Sequence, residues 1–319
     1  MNHPLNSHGR QRGVALVTAL LVVSLATVAA VAMATRFQVD MRRTGNLLNG
    51  EQAYAYAMAA ESWAYVILRR DRADNKHDSL DEDWSTALPP IPVEGGFVNG
   101  HVEDLQGRFN VNNLVGDEGG IDQIQLDYYK RLLEILGLEP SLAPALQDWI
   151  DSDINATFPD GAEDNEYLLA DLPYRAGNRP LVDISELRLV KGYTPEVLAM
   201  LEPHLTALPE TTIININTAT PVVLLALHAE LGESDVEQLI TDRDEEPFTD
   251  KKAFLAHNAL AGLELAVDVG IQSDWFNVQT DVSVGRGQAR LESRILRAEK
   301  GLQVISRTRT GKRLLPEEE

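Results

Sequence analysis

The densest chemistry-bearing stretch of the sequence is acidic. Asp148, Asp151, Asp153, Asp160, Glu163, Asp164 and Glu166 fall in one segment, and no Lys or Arg interrupts it before Arg175. Carboxylates crowded this closely repel, and a fold that gathers them favours a hard divalent cation with oxygen ligands. The same run also reads as a solvated acidic loop, and the residues alone leave both readings open. Asp151-Ser-Asp153-Ile-Asn155 begins as an EF-hand loop does, but Ala156 stands where that loop needs glycine and Ala162 where it needs its closing glutamate. Glu163 comes one place late. As a cation site the segment is therefore not an EF-hand but an irregular loop, drawing on Asp148, Asp151 and Asp153 and closed by Glu163 and Asp164.

Other chemistry is thin. The chain has no cysteine, which excludes a disulfide, a thiolate metal site and a thiol nucleophile. It contains no Gly-x-Ser-x-Gly, Walker loop, HExxH or glycine-rich dinucleotide turn, and its histidines stand singly, so no enzyme class is indicated. Ile214–Leu227 (ININTATPVVLLAL) is similar to the opening of a helix-hairpin-helix DNA-binding module. Such modules offer backbone amides at a helix start to phosphate, from a glycine-rich hairpin. Here His228–Glu233 supplies one glycine and two acids instead, and the chain as a whole carries a formal charge of -21. The reading is a scaffold without nucleic-acid binding. A membrane-tethered DNA receptor of the competence type remains the alternative function.

The elements that must position these residues begin at an apolar run. Residues 1–13 are polar and basic. Val14–Ala34 then has only Thr18, Ser24 and Thr27 as polar members, long enough for a helix to cross a bilayer. The basic flank assigns residues 1–13 to the cytoplasmic side and the bulk of the chain to the other. No proline occurs between Phe37 and Arg70, and Ala53, Ala57, Ala60 and Ala64 recur at helical spacing, so the span continues as one long helix. Its alanine stripe, with Ala57 and Ala64 as candidates, suits helix-to-helix packing on a partner or packing on the protein's own sheet.

Residues 71–93 end in Pro89-Pro90-Ile91-Pro92 and read as a loop. Residues 95–114 alternate and then close on Asn and Gly, which predicts a hairpin; residues 276–299 predict a second, turning at Gly285–Gln288. About 150 residues between them read as helical, with starts at Thr194-Pro195-Glu196, at Thr220-Pro221 and at Ser234…Glu237 in capping-box spacing. An isolated hairpin is marginal in water, so the two strand regions are expected to pair, making the helical stretch an insertion. The domains read as 14–34 and 35–70 for the two parts of the helix, 71–118 with 271–300 for an α+β domain, 119–270 for the insertion and 301–319 for a tail.

Arg12-Gly13 before an apolar segment and a long amphipathic helix resembles the signal of type IV pilins and pseudopilins. DLQGRFNVNNL (Asp104–Leu114), DWIDSD…GAED…Y (Asp148–Tyr167) and RAGNRPLVDISELRLVKGYTPEVL (Arg175–Leu198) resemble, in that order, strings of the minor pseudopilin K family of the type II secretion system, also called general secretion pathway protein K. The resemblance covers nearly the whole chain. It implies an α+β fold: a long N-terminal transmembrane helix with a pilin-like antiparallel sheet, interrupted by a large all-helical insertion that is SAM-like or helix-hairpin-helix-like. It implies cleavage between Gly13 and Val14 by a prepilin peptidase, with methylation of the new N-terminus. Counting from Val14, Thr18 falls where most pilins carry a glutamate, and its absence is a mark of the K subunit. A buried carboxylate in lipid is costly unless paired, so a subunit with none above it gains by lacking one. The resemblance further implies calcium in the acidic loop and an inner-membrane, periplasm-facing subunit at the tip of a pseudopilus. Its partners would be the I and J minor pseudopilins, with H as a third, together with the secretin and the secreted substrate.

Overall fold

The computed structural model describes residues 12–87, 89–116, 119–298 and 301–310. Most of the expected leader (residues 1–11) and the end of the expected tail (311–319) lie outside the described residues. Helix α1 runs from Arg12 to Asp74, 63 residues and about 95 Å at 1.5 Å per residue. Its first part is exposed all round, and it is the one described helix long and apolar enough to cross a membrane. From Ala53 on, one face is covered. Ala53, Ala57, Ala64 and Leu68 are spaced by four and seven residues, which places them on one side of the helix, and all four are buried.

The cover is the protein's own sheet. Strands β1 (Ile91–Val93), β2 (Gly96–Asp104), β7 (Trp275–Val284), β8 (Gly287–Ala298) and β9 (Gly301–Thr310) pair antiparallel in the order β1-β2-β7-β8-β9. Inward residues alternate along β7 and β8: Phe276, Val278, Val282 and Val284 on one, Ala289, Leu291 and Ile295 on the other, all buried. The β7–β8 turn presses on the helix so closely that a Cβ on Gly287 would lie 2.4 Å from the Asn49 carbonyl carbon. Ala57 and Ala64 thus pack with Val282 and Leu291, and with Phe276 and Ile295, respectively. Their assignment to a partner interface is corrected: their small side chains let the sheet approach, which was the second reading of the stripe.

The two strand regions do pair, Gly96–Asp104 against Phe276–Val284. The first is not a hairpin over 95–114, however. Its hairpin partner is β1, upstream of it, and β3 (Phe109–Asn110) leaves the sheet to pair parallel with β4 (Leu205–Thr206). Phe109, Val111 and Leu114 belong to the core of the inserted domain. That domain therefore starts earlier than residue 119, because the apolar side chains after Gly107 face its helices. It is also not purely helical: β5 (Ile214–Asn215) and β6 (Val269–Gly270) form a second short parallel pair. The expected tail is corrected too. Gly301–Thr310 is a full strand, with Leu302 buried and Arg307 donating 2.7 and 2.8 Å hydrogen bonds to the buried Glu61 carboxylate of α1.

Inside the insertion, α2 (Gln123–Ile135), α3 (Leu142–Ile150), α4 (Asp164–Tyr167), α5 (Pro195–Leu201), α6 (Pro221–Leu225), α7 (Glu233–Glu245) and α8 (Lys251–Leu255) enclose one core. Thr194 and Thr220 cap α5 and α6 through Val197 N–H and Val223 N–H. For α7 the cap differs from the expectation. The helix already begins at Glu233, and the Gly232 N–H donates to the Asp235 carboxylate at 2.9 Å.

Candidate metal centre

The acidic segment lies between α3 and α4. Asp148, on the last turn of α3, is fully buried, and one of its oxygens accepts a 2.9 Å hydrogen bond from Thr157 N–H. Asp151 and Asp153 follow in Asx turns: the Asp151 carboxylate accepts from Asp153 N–H at 3.2 Å and that of Asp153 from Asn155 N–H at 2.7 Å. Gly161 closes the loop, since a Cβ there would sit 2.1 Å from the Asp148 carboxylate and 2.5 Å from the Thr157 backbone. The chain then delivers Glu163 back to the group. Asp151, Asp153 and Glu163 each bring a carboxylate oxygen to within 4.8 Å of the others.

What fits this set to a cation is its unmet hydrogen bonding. Both oxygens of Glu163, only 2% exposed, and the second oxygen of Asp148, 0% exposed, have no hydrogen-bond partner. Buried carboxylates are ordinarily satisfied, and orphan oxygens facing like charges are costly. Burial, then the charges of Asp148, Asp151, Asp153 and Asp164, push Glu163 up to about 7. Burial first, and Asp153 and Asp148 after it, push Asp151 up to about 6. A hard cation relieves all of these at once.

Asp164 lies outside the group of three carboxylates that come together. Its carboxylate accepts from Ala176 N–H at 3.0 Å and from the Arg175 guanidinium at 3.3 Å, so it ties the loop to the next segment instead. Asn178 makes a second tie, donating 2.7 Å to the Asp153 carbonyl from a left-handed backbone with φ of 42°. Neither Asn178 nor Gly161 was singled out by the sequence; the GAED string around Gly161 carried the available signal.

A second acidic group, Asp71, Asp78 and Glu82, has the same spacing but a different resolution. The buried Arg297 guanidinium binds Asp71 at 2.9 Å, binds both oxygens of Asp78, and donates to the Ser273 carbonyl at 2.6 Å. It also lies over the Phe276 ring, 4.7 Å from its centroid. Asn215 completes the joint, donating to the Asp78 carbonyl at 3.0 Å, the Asp104 carboxylate at 3.0 Å and the Ser273 hydroxyl at 2.9 Å. The network locks the end of α1, the sheet and the inserted domain together. The cation here is supplied by the chain.

The helix-hairpin-helix look-alike is also accounted for. Arg243 of α7 is turned inward, where it donates to the Ile216 and Ala219 carbonyls at 3.2 and 2.8 Å. The exposed positions beside it, Asp244, Glu245 and Glu246, carry negative charge. The DNA-receptor alternative is not favoured.

Thr18 lies in the exposed apolar part of α1, its hydroxyl donating back to the Val14 carbonyl at 3.0 Å. An α-helix that is apolar and uncovered at its start, carries an antiparallel sheet on its far half, and bears a helical domain between the strands defines a pilin-type subunit. The family description "Type II secretion system (T2SS), protein K" matches residues 107–210 and 214–278. The type II secretion system protein K of Pseudomonas aeruginosa is 34% identical, covering 93% of this chain and 92% of that protein. That of Aeromonas hydrophila is 33% identical, over 95% and 98%. A chain of the solved GspK-GspI-GspJ complex from the enterotoxigenic Escherichia coli type 2 secretion system superposes with a TM-score of 0.76 at 27% identity, covering 85% of this chain and 100% of that one. The chain belongs to the type II secretion system protein K family, and its role is that of a minor pseudopilin.

Proposed function

We propose that this subunit caps the periplasmic end of a pseudopilus, anchored in the inner membrane by α1 and holding its helical domain beyond the filament. The observation that carries this is where the insertion leaves the sheet. Helix α1 ends at Asp74, β2 ends at Asp104 opposite Phe276, and the Leu105 N–H donates to the Trp275 carbonyl, all at the end away from the apolar span. A domain of this size mounted there obstructs any subunit stacked above it. The I and J pseudopilins are the partners this reading adopts, since the solved relative is in complex with proteins of those names. With no subunit above, a glutamate at position 18 has no terminal amine to neutralise, which fits Thr18. Processing between Gly13 and Val14 by a prepilin peptidase, followed by methylation, releases α1 for assembly. H, the secretin and the secreted substrate are the further contacts the reading predicts.

Calcium is the cation the acidic loop suits. Asp148, Asp151, Asp153 and Glu163 supply hard oxygen donors, and the two free Glu163 oxygens suit a bidentate closing ligand. Bound there, the ion gives the loop a fixed shape and contributes no reaction chemistry. The N-terminal mass of the membrane-extracted protein, with and without the peptidase, tests the class of processing. A chain starting at methylated Val14 only with the peptidase is expected, whereas a cut near Ala34 would sink the reading. Composition of intact pseudopili tests the tip: one copy per filament is expected, and a regular repeat along the shaft contradicts it.

A further inference from the structure

Beyond Gly50, every described large apolar side chain that is more than 60% exposed belongs to one stretch of the helical domain. These are Ile154 at 75%, Phe158 at 94%, Leu169 and Leu172 at 84% each, and Val182 at 67%. Elsewhere past Gly50 the most exposed is Phe97, at 55%. The five sit on two loops, one on each side of α4; the Asn178–Asp153 hydrogen bond ties the loops together, and Ala176–Asp164 ties the second of them to α4. Soluble surfaces seldom concentrate such residues without a use for them. The core below gives no reason for the exposure: Trp149 and Tyr167 are already packed edge to face at 5.1 Å, and neither Phe158 nor Leu169 adds to that stack.

We propose that these two loops form a docking surface for a polypeptide segment that presents apolar side chains flanked by Lys or Arg. The charge around the patch selects that occupant. Residues 151–182, which span all five, contain seven Asp and Glu against two basic residues, Arg175 and Arg179. A divalent cation in the loop cancels only two of those charges, so the surface stays negative whether or not it is filled. An anionic bilayer meets repulsion there, and a second copy of this chain would bring an equal negative field against it. A basic segment meets attraction, with Phe158 and Leu169 as its most exposed anchors. The inference rests on exposure and charge, and stands apart from both the tip position and the metal.

The test places the photoreactive residue benzoylphenylalanine at Phe158, and separately at Leu169, in the full-length chain, expressed with its complete secretion machinery. Irradiation is followed by mass-spectrometric sequencing of the captured peptide. Both positions are expected to capture the same protein segment, apolar and of net positive charge. A synthetic copy of that segment should bind the purified chain, and Leu172→Ser with Val182→Ser should weaken it about tenfold, the loss typical of removing an interface anchor. Raising salt should weaken it further. Capture of lipid, of a second copy of this chain, of an acidic or neutral segment, or of nothing at either position overturns the proposal.

Discussion

Replacing Glu163 by Gln should change the stability of this protein in opposite directions with and without calcium. In the metal-free chain Glu163 is buried beside four other carboxylates and is held up at about 7, against an ordinary 4.5. A carboxyl raised in this way favours its protonated form in the fold. The resulting cost is absent below pH 4.5, grows as pH rises toward 7, and is complete above it. At 1.36 kcal/mol per unit, ionised Glu163 costs the metal-free fold about 3 kcal/mol at pH 8. Gln removes the charge and keeps the shape, while its own amide needs a hydrogen-bond acceptor, which Asp148 or Asp151 can provide. Metal-free Glu163→Gln is therefore expected to melt several degrees above the metal-free parent at pH 8, and alongside it at pH 4.5. With calcium at about a thousand times its dissociation constant, the parent gains about 4.1 kcal/mol and the variant gains little, which inverts the order. Thermal melts of the full chain in detergent, followed by tryptophan emission with chelator or with calcium, read all four conditions. A variant that melts below the parent in chelator at pH 8, or one that keeps the calcium gain, would refute the reasoning.

Two further outcomes follow from the buried ion pairs. Arg297→Met strands Asp78, which is 1% exposed, without its partner; a loss of about 3–5 kcal/mol is expected, and adding Asp78→Asn should restore part of it in chemical denaturation. Burial pushes the Glu61 carboxyl up, but the Arg307 and Ser293 hydrogen bonds outweigh it and hold the group below its ordinary range. Its contribution to stability is thus present above pH 4.5 and lost as pH falls through the lowered value. Arg307→Ala should remove that acid dependence and raise hydrogen exchange along Gly301–Thr310 without disturbing the acidic loop.

Features that depend on local periodicity or local charge were legible in the sequence; those that depend on distant partners were not. The long helix, the Gly285 turn and the acidic loop all follow from spacing within a few residues; the pairing of the two strand regions is the exception, expected because an isolated hairpin is marginal in water. The alanine stripe has the correct period, but a row of small side chains does not say whose sheet or helix covers it, and here the cover lies more than 200 residues along the chain in β7 and β8. Leu302 and Val304 alternate as a strand should, yet Arg307 and Arg309 make the segment look like a polar tail. An edge strand is where charge is tolerated, since it discourages pairing with other chains, and Glu61 fixes Arg307 from a position that no local pattern connects to it. Asp164 shows the same limit inside the site: seven acids in a row look interchangeable until Arg175 and the Ala176 amide claim one of them. The Arg297 joint is the largest omission. Each of its residues, Asp71, Asp78, Ser273 and Arg297, is ordinary in its own segment, and the chemistry exists only because the fold gathers three segments at the place where the helical domain leaves the sheet. That position makes the joint the natural lever on how the domain is aimed: a stranded charge there alters the domain's seat on α1, while a stranded charge in the acidic loop alters only the loop. Separate effects of Arg297→Met and Glu163→Gln on subunit assembly and on the calcium response are what this division of labour requires.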